Sequence, residues 1–231
     1  MTARLETLSD RPTSAILQRF FKTGPGEYGE GDCFRGIRVP VLRKLCREFR
    51  EANIDDIMLL LVSSWHEDRL FALLLLVELY GKADEAGRER IYSTYCSRTD
   101  RINNWDLVDL SAPNIVGRHL VDRDRSPLYR FAVSENLWER RIAIVSTFTF
   151  IRKEEFADTF AIAEQLLEDR HDLIHKAAGW MLREVGKRDQ SALVGFLAGH
   201  YRRMSRTMLR YAIERFPEEL RQQYLKGEIT Y

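Results

Sequence analysis

In Asp172-Leu-Ile-His-Lys-Ala-Ala-Gly-Trp-Met-Leu-Arg-Glu-Val-Gly-Lys187 the apolar residues recur with the period of an α-helix, which indicates a helical fold. At about 100° per residue, one side of this helix collects an ordinary core stripe, made of Ile174, Ala177, Ala178, Met181, Leu182 and Val185. The opposite side carries Lys176, Trp180, Arg183 and Lys187. An indole among cations is typical of a surface that receives an anionic partner with flat parts, such as nucleic acid. The alternative is that Trp180 is covered by a further layer of helices, and this helix alone leaves both interpretations open.

The same periodicity runs along the rest of the chain, and the alternation typical of strands is nearly absent. Helices are predicted at residues 11–22, 38–52, 54–64, 67–81, 84–98, 104–120 with a break, 126–134, 137–152, 155–168, 172–187, 190–202, 205–215 and 217–226. The connectors are short, which predicts antiparallel neighbours.

A weak repeat places related tetrapeptides near the starts of successive helices. Their spacings are 36, 36, 35 and 31 residues, and their first residues are Arg69, Trp105, Arg141, Lys176 and Thr207. A period of this size with two helices per repeat is typical of an α-solenoid. We therefore predict an all-α fold, an α-solenoid of HEAT-like helical repeats, curved so that alternate helices line a concave basic groove.

Composition is that of a soluble globular protein, with 45% hydrophobic and 31% charged residues among 231. No shift in composition marks a boundary, so a single domain over 1–231 is predicted. The net charge is only +1, but the charge is uneven. Residues 170–215 hold ten Lys and Arg against four Asp and Glu, and residues 118–153 hold eight against four. This asymmetry indicates one electropositive face.

Several classes of protein are disfavoured by the sequence. Cys33, Cys46 and Cys96 are odd in number and lack metal-ligand spacing, which fits reduced thiols in the cytoplasm. The longest apolar run, Leu70–Val77, is too short to cross a bilayer. Residues Met1–Asp10 lack the apolar segment that an export signal contains. We expect a cytoplasmic protein that does not bind membranes.

Two further motifs do not indicate a binding site. The stretch from Gly24 to Asp32 is rich in glycine but lacks the ending of a phosphate-binding loop, so it is predicted to be a flexible turn. His171 and His175 are four residues apart on a helix, but no third ligand follows at useful spacing. No metal site is predicted.

The segment from Asn103 to Pro113 is the first candidate for chemistry. Trp105 and Asp109 are four apart and share a helix face. Pro113 has no N–H to donate to the carbonyl of Asp109, so the helix should break or kink there. Irregular backbone beside an aromatic–acid pair is a place where sites are built. The alternative is a simple junction between helices in which Asp109 is structural.

The segment from Leu137 to Ile151 is the second candidate. It is apolar nearly all round and is therefore predicted to be interior, with Trp138 in the core. A largely buried guanidinium at Arg141 needs an anionic partner, and the candidates are Asp109 across the groove or a bound phosphate.

Together these segments resemble the AlkD-type DNA alkylation repair family, and the similarity runs through most of the chain. It is carried by Phe34-Arg-Gly-Ile-Arg-Val-Pro-Val-Leu-Arg-Lys-Leu45, Trp105-Asp-Leu-Val-Asp109, Asn136-Leu-Trp-Glu-Arg-Arg-Ile-Ala-Ile144 and Lys176-Ala-Ala-Gly-Trp-Met-Leu-Arg-Glu184. The sequence departs from the family pattern at two positions. Asn104 stands where an aromatic often precedes the first groove tryptophan, and Phe20 stands in place of a groove tyrosine.

The resemblance implies an all-α stack of HEAT-like repeats and a DNA glycosylase that removes N3- and N7-alkylated purines without a metal or redox cofactor. It implies Asp109 as the catalytic aspartate, Trp105 and Trp180 as groove tryptophans and Arg141 as the groove arginine. It also implies that the lesion stays in the duplex, which suits a groove without a deep pocket.

From the residues themselves we add Lys176, Arg183 and Lys187 as contacts to DNA. The expected partner is duplex DNA containing alkylated bases, bound by a monomer. The alternative is a non-catalytic α-solenoid that binds DNA structure or a protein partner through the same basic groove.

Overall fold

The computed structural model describes residues 1–229, and within that range the chain is built from helices. The only extended pairing among these residues is an isolated parallel bridge between Cys33 and Trp65. The predicted all-α fold is therefore confirmed. The chain divides into two compact units, Met1–Ser111 and Ala112–Tyr231. That one domain spans 1–231 stays a prediction.

The first unit is organised around one long central helix. Its helices are α1 (Thr2–Thr7), α2 (Arg11–Phe20), α3 (Val39–Cys46), α4 (Ile54–Leu61), α5 (His66–Lys82), α6 (Glu85–Cys96) and α7 (Trp105–Ser111). Helices α3, α4, α6 and α7 all pack against α5. Residues 66–76 of α5 are buried without a break, so nearly all of the apolar run Leu70–Val77 lies in the core.

Helix α2 is held in a different way from its neighbours. None of its residues is buried, although Ile16 and Phe20 are large and apolar. Hydrogen bonds replace packing: the Ser14 hydroxyl donates to the carbonyl of Phe34 at 2.7 Å, and the Gln18 amide donates to the carbonyl of Asp32 at 2.8 Å. The helix therefore stands beside the core and does not fill it.

The second unit begins with a π-helical turn at Pro113–Gly117. Its helices are α8 (Ser126–Ala132), α9 (Leu137–Ser146), α10 (Phe148–Ile151), α11 (Ala157–Gln165), α12 (Asp172–Gly186), α13 (Gln190–His200), α14 (Arg206–Ala212) and α15 (Glu218–Lys226). Helix α12 is central and packs against α9, α11, α13 and α14. Gly179 allows α14 to approach closely, because a Cβ atom there would lie 2.5 Å from the carbonyl oxygen of Met208.

The predicted break within 104–120 is confirmed. Helix α7 ends at Ser111, and the N–H of Gly117 donates to the carbonyl of Ala112 at 2.9 Å in the π-helical turn that follows. The Thr149 hydroxyl donates to the carbonyl of Pro113 at 2.6 Å and so satisfies an acceptor in this turn. Helix α1 was not predicted, and the helix expected at 137–152 is divided at Thr147.

None of the helices in residues 1–229 combines the length and the apolar composition needed to cross a membrane.

Candidate functional site

Trp105 and Asp109 lie one turn apart on α7, and both line a cavity of about 560 Å³ within the first unit. The walls come from α2, α3, α5 and α7 and are almost entirely apolar. The cavity is open to solvent along α2, whose side chains line the space without being buried in it. That DNA is bound in a groove without a deep pocket stays a prediction.

Aromatic rings form one wall of this cavity. Phe21 is stacked between two of them, with its ring centroid 5.0 Å from Phe34 and 5.2 Å from Trp105. Phe20 meets the Trp105 ring edge-on at 6.0 Å and is 61% exposed. Trp105 is partly buried and its orientation is fixed by these contacts, so it presents a rigid aromatic surface beside the Asp109 carboxylate.

A buried charged network stands behind the same wall. His66 Nε2 lies 2.9 Å from Asp106 Oδ2, and His66 Nδ1 lies 3.3 Å from Asp32 Oδ2. Arg69 donates to the other oxygen of Asp32 at 2.6 Å. All four side chains are nearly inaccessible to solvent. The network ties the start of α5, the segment at residue 32 and the first turn of α7 together.

The two carboxylates keep His66 charged. Burial alone would lower the pKa of His66, but the charge and hydrogen bond of Asp106, with those of Asp32, raise it to about 9. Burial would likewise raise the pKa of Asp32, and its bonds to His66 and Arg69 hold that pKa below its ordinary value. His66 is therefore an imidazolium at neutral pH.

Asn104 belongs to this network, which accounts for its departure from the family pattern. Its side chain is fully buried, its amide donates to Asp32 Oδ2 at 3.3 Å, and its oxygen accepts the N–H of Trp105 at 2.8 Å. An aromatic ring at this position would leave the Asp32 carboxylate with one donor fewer.

A second buried cluster fixes the turn before α3. Arg35 and Asp68 form a two-bond ion pair at 2.6 and 2.9 Å. The Glu67 carboxylate accepts the backbone N–H groups of residues 35, 36 and 37. Gly36 has φ +87°, and a Cβ atom there would lie 2.1 Å from the carbonyl oxygen of Asp10, so only glycine fits this turn. The cluster thereby holds in place residues 37–40, which line the cavity.

In the second unit, α12 has the two faces predicted for it. The core stripe is buried at all six positions, while Trp180 on the opposite face is half-buried. The indole N–H of Trp180 donates to Glu184 Oε1 at 3.2 Å, and its ring centroid is 6.0 Å from that of Phe148. Trp180 is thus neither fully covered nor fully open.

The three predicted cations of α12 all have carboxylate partners. Lys176 lies 2.7 Å from Asp172, and Lys187 donates to Glu184 at 2.5 Å. Arg183 pairs with Glu214. A phosphate approaching this face would replace these carboxylates.

Arg141 is buried, as predicted, and its Nη1 donates to the carbonyl of Leu173 at 2.6 Å. Trp138 is also buried, which confirms its prediction as a core residue. His171 accepts the N–H of Leu173 and starts α12, so this imidazole has a structural role. The residues that the structure describes contain no cluster of three potential metal ligands.

Of the predicted site residues, the structure brings Trp105 and Asp109 together in the first unit. The others belong to the second unit: Arg141, Lys176, Trp180, Arg183 and Lys187. That all of them share one concave groove stays a prediction.

Sequence reasoning missed the buried network of Asp32, His66 and Asp106. A local signal was present at residues 66–69, where His-Glu-Asp-Arg opens a helix that is otherwise rich in leucine. Four consecutive ionisable residues at the start of a fully buried helix indicate buried ion pairs, because charges are rarely buried without partners.

The geometry defines a class of protein: an all-helical chain with a carboxylate beside an aromatic-walled cavity and a helix that presents a tryptophan among paired cations. The profile of the family described as "DNA alkylation repair enzyme" matches residues 1–216, and the chain belongs to that family. The AlkD-type resemblance is thereby confirmed, and the chain has a role in the repair of alkylated DNA.

One solved structure supports the fold independently. The chain is similar to a "Predicted DNA alkylation repair enzyme from Enterococcus faecalis", with a TM-score of 0.71 and 17% sequence identity over 91% of this chain and 97% of that one. At this identity the likeness establishes the fold only. No curated protein matches the chain.

Proposed function

We propose that the protein is a DNA glycosylase that excises N3- and N7-alkylated purines from duplex DNA by hydrolysis of the N-glycosidic bond. The observation that carries the proposal is the position of Asp109, a partly exposed carboxylate one helical turn from Trp105 at an apolar, aromatic-walled cavity. Membership of the repair family supports the class of reaction.

The chemistry needs little more than a well-placed negative charge. Alkylation at N3 or N7 makes the purine cationic and a good leaving group, and cleavage passes through an oxocarbenium-like sugar, as in glycoside hydrolysis. Asp109 stabilises that cation and orients the attacking water. At about 4 Å and an effective dielectric near 20, this attraction is roughly 4 kcal/mol, which corresponds to about a thousandfold in rate. The reaction as proposed calls on no metal or redox cofactor.

The apolar wall of the cavity supports recognition of a deoxyribose whose base stays stacked in the duplex. The rigid ring of Trp105 packs against deoxyribose, and Trp180 does the same from α12. The cavity has almost no polar surface with which to read the hydrogen-bonding edge of an extruded base. This composition favours a lesion that stays stacked in the duplex.

The cations of α12 hold the DNA backbone in this proposal. Lys176, Arg183 and Lys187 exchange their carboxylates for phosphates, and Arg141 holds a phosphate near the lesion. The Lys176–Asp172 pair is exposed, and such a pair contributes only about 0–1 kcal/mol, so its exchange costs little. Glu184 is buried, so the exchange at Lys187 costs more, and release of counterions from DNA favours both. We propose a cytoplasmic enzyme that acts as a monomer.

The test is single-turnover release of 7-methylguanine and 3-methyladenine from methylated duplex DNA by wild type and Asp109→Asn. The amide is close to the carboxylate in size, so the variant should fold and bind DNA while losing excision. Trp180→Ala should reduce the rate less, because it removes contact area and no charge.

Two results would contradict the proposal. Near-wild-type excision by Asp109→Asn would make Asp109 structural. Release of neither base by the wild type, together with retained DNA binding, would favour the non-catalytic binding protein.

A further inference from the structure

A polar concavity of about 390 Å³ lies at the end of the second unit, between the segment that follows α13, the first residues of α14 and the end of α15. We infer that this concavity, named here the C-terminal basic pocket, binds phosphate groups of the DNA backbone. Its lining carries the cations Arg202, Arg206 and Lys226. The inference rests on the proposed function, because it adds a backbone contact to the same DNA partner.

No carboxylate among residues 1–229 neutralises the charge of this pocket. Among residues 1–229, none of Arg202, Arg206 and Lys226 forms an ion pair, and no carboxylate is part of the lining. The contrast with α12 is direct, because each predicted cation there is paired with an aspartate or glutamate. Arg202 and Arg206 belong to the cation-rich segment of residues 170–215, and in this pocket their charge has no carboxylate partner among the described residues.

Two of the cations are already oriented. Arg202 Nε donates to the hydroxyl of Tyr201 at 3.0 Å, and that hydroxyl donates in turn to the carbonyl of Ile229 at 3.2 Å. Arg206 Nη1 donates to the carbonyl of Leu225. Each of these bonds uses one of the five N–H donors of a guanidinium, and the remaining donors keep the planar geometry that suits phosphate oxygens.

The third cation has greater freedom. Lys226 is exposed and forms no hydrogen bond with a described residue, so its ammonium can follow the ligand. A strand of DNA presents a negative charge at every nucleotide, and three cations around one concavity match a short run of such charges. The lining is mostly polar, in contrast to the cavity of the first unit, and this favours an anionic ligand over an apolar one.

The inference is tested by binding of an unmodified 20-base-pair duplex, followed by fluorescence anisotropy from 50 to 250 mM NaCl. We expect Arg202→Gln and Lys226→Gln each to reduce the slope of log K against log salt by about 0.9 for each lost phosphate contact. At 0.1 M salt this slope corresponds to about an eightfold rise in Kd for each contact.

Arg203→Gln is the matched control. Arg203 follows Arg202 directly but pairs with Glu168 at 3.0 Å and does not line the pocket, so its loss should change Kd less than twofold. Lys226→Gln breaks no hydrogen bond of the described chain, so it keeps the test valid if an arginine variant unfolds. Circular dichroism of each variant verifies folding.

The outcomes separate this inference from the proposed function. If the wild type binds DNA and excises alkylated bases but Lys226→Gln and Arg202→Gln keep the full salt slope, the pocket inference fails alone. If the wild type binds no DNA at 50 mM salt, the proposed function fails and the inference with it. Titration with inorganic phosphate distinguishes a site for free phosphate: saturable binding lost in Arg202→Gln, with DNA affinity unchanged, would also overturn the inference.

Discussion

His66 Nε2 lies 2.9 Å from Asp106 Oδ2, and this buried polar contact links the start of α5 to the helix that carries Trp105 and Asp109. The other ring nitrogen faces Asp32, and the ring itself is stacked on Phe34 with centroids 4.6 Å apart. An imidazolium between two buried carboxylates therefore supports the wall of the candidate site from behind.

The charge of His66 predicts a loss of stability in alkaline solution. Its pKa is raised from 6.5 to about 9 in the folded protein. A raised pKa gives stabilisation that is complete below pH 6.5 and is lost as the pH rises through about 9. The free energy of unfolding should fall by at most about 3 kcal/mol between pH 6 and 10 from this group. Urea unfolding at several pH values measures this change.

The control for that prediction is His66→Gln, which cannot titrate. The variant should be less stable than the wild type at pH 6 and should show a flatter dependence on pH. Equal pH dependence in the two proteins would mean that other groups cause the alkaline loss. The pKa of His66 is measured directly by NMR of its ring nitrogens.

A second prediction concerns the contact between α12 and α14. Gly179→Ala would place a Cβ atom 2.5 Å from the Met208 oxygen and 2.6 Å from the Cβ of Tyr211, so the helices must move apart. We expect destabilisation of about 1–3 kcal/mol. Gly199→Ala is the control, because a Cβ atom there meets open space, and it should stabilise α13 by up to about 1 kcal/mol. Urea unfolding that ranks the two variants in the opposite order would refute the close approach.

A third prediction uses Glu184, which gathers the polar groups of the α12 face. It accepts from Trp180 and Lys187 and lies 3.6 Å from Arg188. Burial would raise its pKa, but the hydrogen bond and charge of Lys187 hold that pKa below its ordinary value. Glu184→Gln should free the cations and tighten DNA binding by up to about eightfold at 0.1 M salt for each cation that reaches a phosphate.

Asp55→Asn provides the comparison for this change. It frees Arg90, an exposed arginine of the first unit that is paired at 3.0 Å. If DNA affinity measured by anisotropy rises equally in both variants, the gain reflects net charge alone and α12 has no special place in binding.

The parts of the fold that depend on local pattern were predictable. The buried stripe of α12 follows from the period of its apolar residues, and the break after Ser111 follows from the missing N–H of Pro113. Pairing of Lys176 with Asp172 is also local, since the two are four residues apart on one helix.

The parts that depend on distant partners were not. Asp32 and Asp106 are 34 and 40 residues from His66, and Arg183 is 31 residues from Glu214, so no period in the sequence links them. The cavity beside Asp109 was missed for a related reason. It exists because α2 is hydrogen-bonded at its edge and not packed into the core, and an amphipathic pattern does not distinguish these two arrangements.

The last prediction separates two aspartates that stand three residues apart on α7. Both line the cavity, but Asp106 is buried against His66 whereas Asp109 is partly exposed. Asp106→Asn leaves a buried imidazolium short of one carboxylate and should destabilise the protein by about 3–5 kcal/mol. Asp109→Asn removes a charge from a partly exposed position, so stability should fall less than in Asp106→Asn while excision falls by about a thousandfold. Urea unfolding and single-turnover release of 7-methylguanine are measured on both variants, the latter below the unfolding transition of Asp106→Asn. Loss of stability in Asp109→Asn equal to that in Asp106→Asn would assign both carboxylates to the structure and leave the cavity without a catalytic group.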